Sequence, residues 1–267
     1  MSTSHSVVAP DISARRAPAM GGFNLTALKL EIRRLTRNRR TVLIAIVVPV
    51  VFFLLFGLNR SYDSLPAGRG NTAAFVMISL ALYGAVLATS FAGAMVSIER
   101  SQGWSRQLRL TPLSPAAYIG IKVLTALVLG ACSVAAVYIA GIITHKASMP
   151  VWLWVVTALC VWVGSLLFAA FGLFIGYLLP AENVLQLLGL MLGLLSFAGG
   201  LFIPVSQYAP TVQDIAKFTP LYGLNQLVHA PLLGGSVPWT WPVNVLAWLI
   251  IFTGGAIWRF RKDTARV

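Results

Sequence analysis

A chain of 267 residues has room for one or two soluble domains, but 58% hydrophobic against 10% charged residues excludes them. Ordinary soluble domains carry roughly 25% charge, and so few polar side chains cannot cover a water-facing surface. The net charge of +13 comes from 20 Lys and Arg placed beside apolar runs, which directs the basic character to a membrane and away from nucleic acid.

In chain order, residues 1–22 are rich in Ser, Ala and Pro and read as a disordered tail. Residues 23–41 follow as a helix. Leu25, Leu28, Ile32 and Leu35 recur on one face while Lys29, Arg33 and Arg37 step by four along another. This pattern predicts an interfacial helix with its apolar stripe in the headgroup boundary and its cations toward lipid phosphates.

Crossing a hydrocarbon layer about 30 Å thick takes about 20 apolar residues as a helix. Six runs qualify, near 42–58, 73–96, 118–143, 151–179, 184–202 and 241–258, and they define a transmembrane region over 42–258. They are continuously apolar, unlike the alternating segments of a β-barrel. Cys132 and Cys160 lie within them and read as small hydrophobes, not a disulfide. Of the 20 Lys and Arg, only Arg60, Arg69, Lys146 and Lys217 fall on one side of the six spans. The rest flank the other side, including a basic tail over 259–267, so both termini are expected in the cytoplasm.

Small residues recur by four in three spans: Ala81, Ala85, Thr89 and Gly93 in the second, Gly172 and Gly176 in the fourth, Gly189 and Gly193 in the fifth. Such stripes let helices approach closely in lipid. Packing within one subunit is the expectation for the fourth-span pair.

Several chemistries are missing. There is no G-x-x-x-x-G-K-[ST] phosphate loop and no H-E-x-x-H, and His5, His145 and His229 are far apart and expected outside the spans. The centres of the spans hold no ionisable residue of the kind that couples ions to transport. Lys122 and Glu182 lie near span ends, where snorkelling to the interface is expected. Energy for uphill transport would therefore enter from a partner.

Between the second and third spans runs Glu99-Arg100-Ser101-Gln102-Gly103-Trp104-Ser105-Arg106-Gln107-Leu108-Arg109-Leu110-Thr111-Pro112. It reads as a short polar helix with one large aromatic, stopped by Thr111-Pro112. Trp104 could anchor a protein contact or sit at headgroup level. The stretch resembles the permease subunits of type-2 ABC exporters of the daunorubicin-resistance kind. Their E-[RK]-E-x-G-T pattern, followed by Leu and Thr-Pro, is matched at Glu99, Arg100, Gly103, Leu108, Thr111 and Pro112, with departures at Ser101 and Trp104. Gly199-Gly200-Leu201-Phe202-Ile203-Pro204 followed by Pro220-Leu221-Tyr222 is similar to a second region of that family.

The resemblance implies an all-α integral membrane fold with a connecting helix, a cytoplasmic coupling helix over 99–111 and extracellular re-entrant helices over 203–235. It implies that Glu99, Arg100, Gly103, Trp104, Arg106 and Leu108 couple to a separate ABC ATP-binding subunit, present in two copies. Leu28, Ile32, Arg33 and Leu35 of the connecting helix would touch the same subunit. Two permeases, identical or homologous, would face each other with their second and fifth spans along a path walled by Phe75, Met77, Thr89, Ser90, Phe91, Met191, Ser196 and Phe197. Those walls suit an amphipathic, drug-like or lipid-like substrate. The chain itself would be a non-catalytic subunit of a bacterial plasma membrane exporter, without a cofactor of its own, the ATP and Mg being held by the partner. Other readings are a stand-alone channel or carrier, an ABC permease for an ion or polysaccharide, a lipid-active enzyme, and a membrane anchor.

Overall fold

The computed structural model of the chain describes residues 19–59, 61–62, 64–103 and 113–264; within these, the side chains of residues 19, 20, 40, 41, 115, 261, 263 and 264 lie outside the description. Almost every described element is helical.

Helix α1 spans Leu25–Arg37 and begins at Asn24, whose side chain accepts from the Thr26 amide at 2.8 Å and so satisfies one of the open N–H groups of the first turn. It ends at Asn38. Ahead of it, Ala19–Gly22 form a 3-10 turn whose Gly21 carbonyl accepts from the Ser114 amide at 2.7 Å, so these four residues of the expected tail are held against the bundle. Helix then runs on through α2 (Arg39–Val42), a π-helical turn (Leu43–Val47), α3 (Val48–Phe52) and a second π-helical turn (Phe53–Gly57). The irregularity surrounds Pro49. A proline has no N–H to give the carbonyl four residues back, which is that of Ala45. The buried Ser133 hydroxyl donates to that carbonyl at 2.6 Å from a neighbouring helix.

A two-stranded hairpin of β1 (Pro66–Ala67) and β2 (Gly70–Asn71) leads into α4, Thr72–Ser101, capped by the Asn71 side chain accepting from the Ala74 amide. Helix α5 spans Pro115–Thr144, starting on a Ser114 cap and ending where His145 turns left-handed. The expected fourth span is two helices, α6 (Val151–Gly164) and α7 (Leu166–Leu178), separated only at Ser165, whose hydroxyl donates to the Trp162 carbonyl. Helix α8 covers Val184–Ala198 and stops at Gly199-Gly200. The region expected to be re-entrant holds a 3-10 turn (Val205–Gln207), α9 (Pro210–Ala216) and α10 (Pro220–Leu233). Helix α11, Thr240–Thr264, continues into what the sequence suggested was a basic tail.

Among the described residues, four helical stretches are long and apolar enough to cross a membrane: Thr72–Ser101, Ala116–Thr144, Val151–Leu178 and Thr240–Phe260. The other two expected spans are the shorter apolar helices Leu43–Gly57 and Val184–Ala198. At 1.5 Å per residue the α-helical Val184–Ala198 reaches about 22 Å, less than the roughly 30 Å of a hydrocarbon core. The chain is a multi-pass membrane protein with an all-helical body.

Helix α4 is the centre of the bundle, covered by α5 on one side and α7 on another. Its small residues explain this position. A Cβ added at Gly172 on α7 would lie 2.1 Å from the Ser90 carbonyl oxygen on α4, and one at Gly93 would meet the α7 backbone at 2.7 Å. The fourth-span glycines therefore bring helices together within the chain, as expected. One end of the bundle gathers α1, the last turn of α4, the start of α5 and the ends of α7 and α11, where Tyr177 meets Phe260 edge-on at 5.8 Å. The opposite end gathers the hairpin, the α5–α6 turn and α10, through Arg69 N–H to Leu232 O at 2.7 Å and Asn71 N–H to Ser148 O at 3.0 Å.

Candidate coupling site

The last turn of α4 carries Glu99, and α1 and α5 converge on its carboxylate. Arg34 Nη1 of α1 donates to it at 3.0 Å, the Tyr118 hydroxyl of α5 at 2.5 Å, and Lys122 Nζ of α5 directly. Lys122 also donates to Glu31 of α1, and Arg34 stands 3.9 Å from the same Glu31. The side chains of Lys122 and Glu99 are each 3% exposed, Glu31 is 17% exposed and Arg34 is 42% exposed. Two acids and two bases thus form one neutral, largely buried group.

The arrangement corrects three expectations. Lys122 does not snorkel: it turns inward because two carboxylates meet it there, and pairing offsets the cost of burial. Glu99 is turned inward, accepting hydrogen bonds from α1 and α5. The apolar stripe of α1 is turned to the bundle from Leu28 onward, and Leu25 alone of its four members is exposed. Leu35 is buried in a cluster with Ala88 and Ala92 of α4 and Ala126 and Leu129 of α5, while Leu28 and Ile32 are half-buried on the side of α1 that carries Glu31. Arg33 remains exposed.

Arg100 also turns into the bundle. Its Nη1 donates to the Tyr177 carbonyl at 3.0 Å at the end of α7, and its guanidinium lies 5.6 Å from the centre of the Tyr177 ring. Residues 99–101 are therefore the end of α4 and not the start of a separate helix. Gln102 and Gly103 close the helix, Gly103 with φ of 74° and its N–H donating to the Arg100 carbonyl at 3.0 Å. A backbone in that region favours glycine. Trp104, Arg106 and Leu108 lie outside the described residues.

The expected path residues are scattered. Met77, Thr89, Ser90 and Ser196 are fully buried, and Phe91 nearly so. The three hydroxyls are taken up by backbone: Thr89 donates to Ala85 O at 2.8 Å, Ser90 to Phe168 O at 3.2 Å and Ser196 to Leu192 O at 2.7 Å. The four on α4 face the chain's own core because α4 is the bundle's central helix, and Ser196 lies on the buried side of α8. Phe75 is half-buried against the His229 ring at 4.1 Å, Met191 is half-buried, and Phe197 is exposed.

Over residues 24–232 the chain matches the family model described as ABC-2 type transporter. The chain belongs to the ABC-2 type transporter family. It is also 26% identical over 224 residues to the protein named "Putative transport permease YvfS" of Bacillus subtilis (strain 168), covering 83% of this chain and 90% of that protein. As an ABC-2 permease, the chain is a membrane subunit of an ABC transporter, and membership implies association with an ATP-binding subunit.

For an ABC-2 permease the position of the charge cluster is informative, since it lies where the chain leaves α4 for the segment that the family resemblance assigns to coupling. Sequence reasoning found Glu99 but not its partners. Two signals pointed to them: Glu31 is the single acid among the cations of residues 23–41, and Lys122 is the single charge in the apolar run from 115 to 144. His229 lies outside the six apolar runs, as expected, but it is buried in α10 against α4. Its Nδ1 lies 2.8 Å from the Asn225 carbonyl oxygen, and its Nε2 lies 3.1 Å from the Ser79 hydroxyl and 3.3 Å from the Phe75 carbonyl oxygen.

Proposed function

We propose that the chain is the permease of an ATP-driven exporter in which the Glu31–Lys122–Glu99–Arg34 cluster transmits motion from the docked ATPase to the spans. The observation that carries this reading is the convergence of α1 and α5 on the Glu99 carboxylate of α4, one turn before the coupling segment. The cluster end is cytoplasmic, with both termini on that side and six passes through the membrane. Trp104, Arg106 and Leu108 dock on an ATP-binding subunit that holds ATP and Mg, two such subunits serving each complex.

A push on that segment reaches α4 through Glu99 and Arg100. Arg100 carries it to the end of α7, and Lys122 with Glu31 carries it to α5 and α1. The helices move as a block because the Gly93–Gly172 contact leaves no slack between α4 and α7. A second permease copy lies against the outward face of α8, where a Cβ at Gly193 would meet nothing within 4 Å and where Leu190, Leu194 and Phe197 are exposed. Apolar walls at that junction suit an amphipathic substrate.

Co-purification of the tagged chain with its ATP-binding partner, followed by ATP-dependent efflux in proteoliposomes, tests the proposal. Trp104→Ala is expected to release the partner. Glu31→Gln is expected to keep the partner bound while lowering efflux per ATP hydrolysed. Efflux by the chain without any ATPase, or unchanged coupling in Glu31→Gln, refutes it.

A further inference from the structure

The geometry points to an acidic-phospholipid site on the outer face of α1, at the cytoplasmic headgroup level. The side of α1 carrying Leu28, Glu31, Ile32 and Leu35 is turned to the bundle. The opposite side exposes Lys29, Leu30, Arg33 and Arg37. The single acid of the helix, Glu31, points away from that face toward Lys122. What remains is a row of cations at every fourth residue around Leu30, which is 60% exposed, with Leu25 bare at the end of the helix.

The depth of α1 decides between a lipid and a soluble protein as occupant. Glu31 pairs with Lys122, and Leu35 belongs to one buried cluster with Ala126 and Leu129; Lys122, Ala126 and Leu129 lie inside the candidate span Ala116–Thr144. The helix is thus pinned beside the first turns of a membrane span and not below it in the aqueous phase. After Asn38 the chain turns directly into the helix of the first apolar run. Cations held at that level meet phosphates, and leucines between them meet the upper acyl chains, the pattern of amphipathic helices that bind anionic lipid surfaces. The same helix carries Glu31 on its inner side, so a lipid gripping the outer face holds the transmission cluster in place. The lipid site rests on the cytoplasmic placement of α1 in the proposed function, and its regulatory consequence on the coupling role given there to the cluster.

The test uses the full-length permease alone, reconstituted in mixed phosphatidylcholine–phosphatidylglycerol vesicles containing a trace of headgroup-photoactivatable phosphatidylglycerol or phosphatidylcholine. Labelled peptides are then mapped by mass spectrometry. Expected are labelling of the 25–37 peptide by the glycerol probe in preference to the choline probe, a preference that falls with added salt, and a loss of roughly fivefold for each cation removed in Lys29→Gln, Arg33→Gln and their combination with Arg37→Gln. The thermal unfolding midpoint of the triple variant, expected to stay at the wild-type value, separates lost binding from lost folding. Equal labelling by the two probes overturns the inference, as does a preference that survives in the triple variant. So does a 25–37 peptide unlabelled in the permease alone that cross-links to the ATP-binding subunit in the complex, which marks a protein-docking face. If lipid labelling fails while ATP-coupled efflux holds, this inference falls and the exporter reading stands.

Discussion

Replacing Lys122 by methionine keeps the length of the side chain and removes one charge from the cluster at the end of α4. Glu99, 3% exposed, and Glu31, 17% exposed, are then left facing each other with Arg34 as the nearest cation, 3.0 Å from the first and 3.9 Å from the second. Removing one member of a buried ion pair costs about 3–5 kcal/mol because the remaining charge stays desolvated. Arg34 and the Tyr118 hydroxyl still serve Glu99, which places the cost near the lower end, about 3 kcal/mol. For a chain of this size each kcal/mol moves the midpoint by about 2–4 °C, so Lys122→Met should unfold about 6–12 °C below wild type in detergent, followed by tryptophan fluorescence. Glu99→Gln in the Lys122→Met background removes the orphaned acid and leaves Arg34 with Glu31, a neutral pair. The double variant is expected to recover at least half of the loss. A single variant within about 2 °C of wild type, or a double variant as unstable as the sum of the two singles, refutes the cluster as the joint between α1, α4 and α5.

Ser133→Ala should orphan the Ala45 carbonyl and cost about 1 kcal/mol in thermal unfolding, whereas the pair Pro49→Ala/Ser133→Ala should recover because alanine restores the missing N–H. Gly172→Ala forces a Cβ onto the Ser90 carbonyl and should lose about 1–3 kcal/mol, while Gly193→Ala, in open space, should leave stability unchanged or raised by up to about 1 kcal/mol. Equal effects of these two changes in the same unfolding assay count against the packing described for α4 and α7. Gly103→Ala has room for its methyl group but must hold φ near 74°, which costs about 1–2 kcal/mol at the entrance to the coupling segment. Membrane yield should be unchanged and ATP-driven efflux reduced; full efflux argues against a fixed geometry there.

Much of the fold was legible because lipid imposes simple demands. The apolar runs and their helical nature follow from spacing and residue type alone. Boundaries went astray where a backbone effect intervened. The fifth run was expected to reach 202, yet α8 stops at Ala198 because Gly199-Gly200 end it. Residues 99–101 were expected to open a separate helix, yet they continue α4 until Gly103 turns it. The site was less legible. The expectation that Lys122 snorkels is sound for a lone charge, and what overrides it is Glu31, 91 residues away in sequence. That Met77, Thr89, Ser90 and Phe91 are buried within the chain was hidden for the same reason: the small stripe of the second span permits close approach but does not say which helix approaches.

Composition, apolar run length and the placement of cations were enough to determine that this chain lives in a membrane, because a 30 Å apolar solvent accepts few backbone solutions. Tertiary structure alone decided which helix is central, which face of α1 is covered and where the four charges of the cluster meet. Those outcomes depend on contacts between distant segments, and a charge becomes buried or exposed only once its partner has been brought beside it.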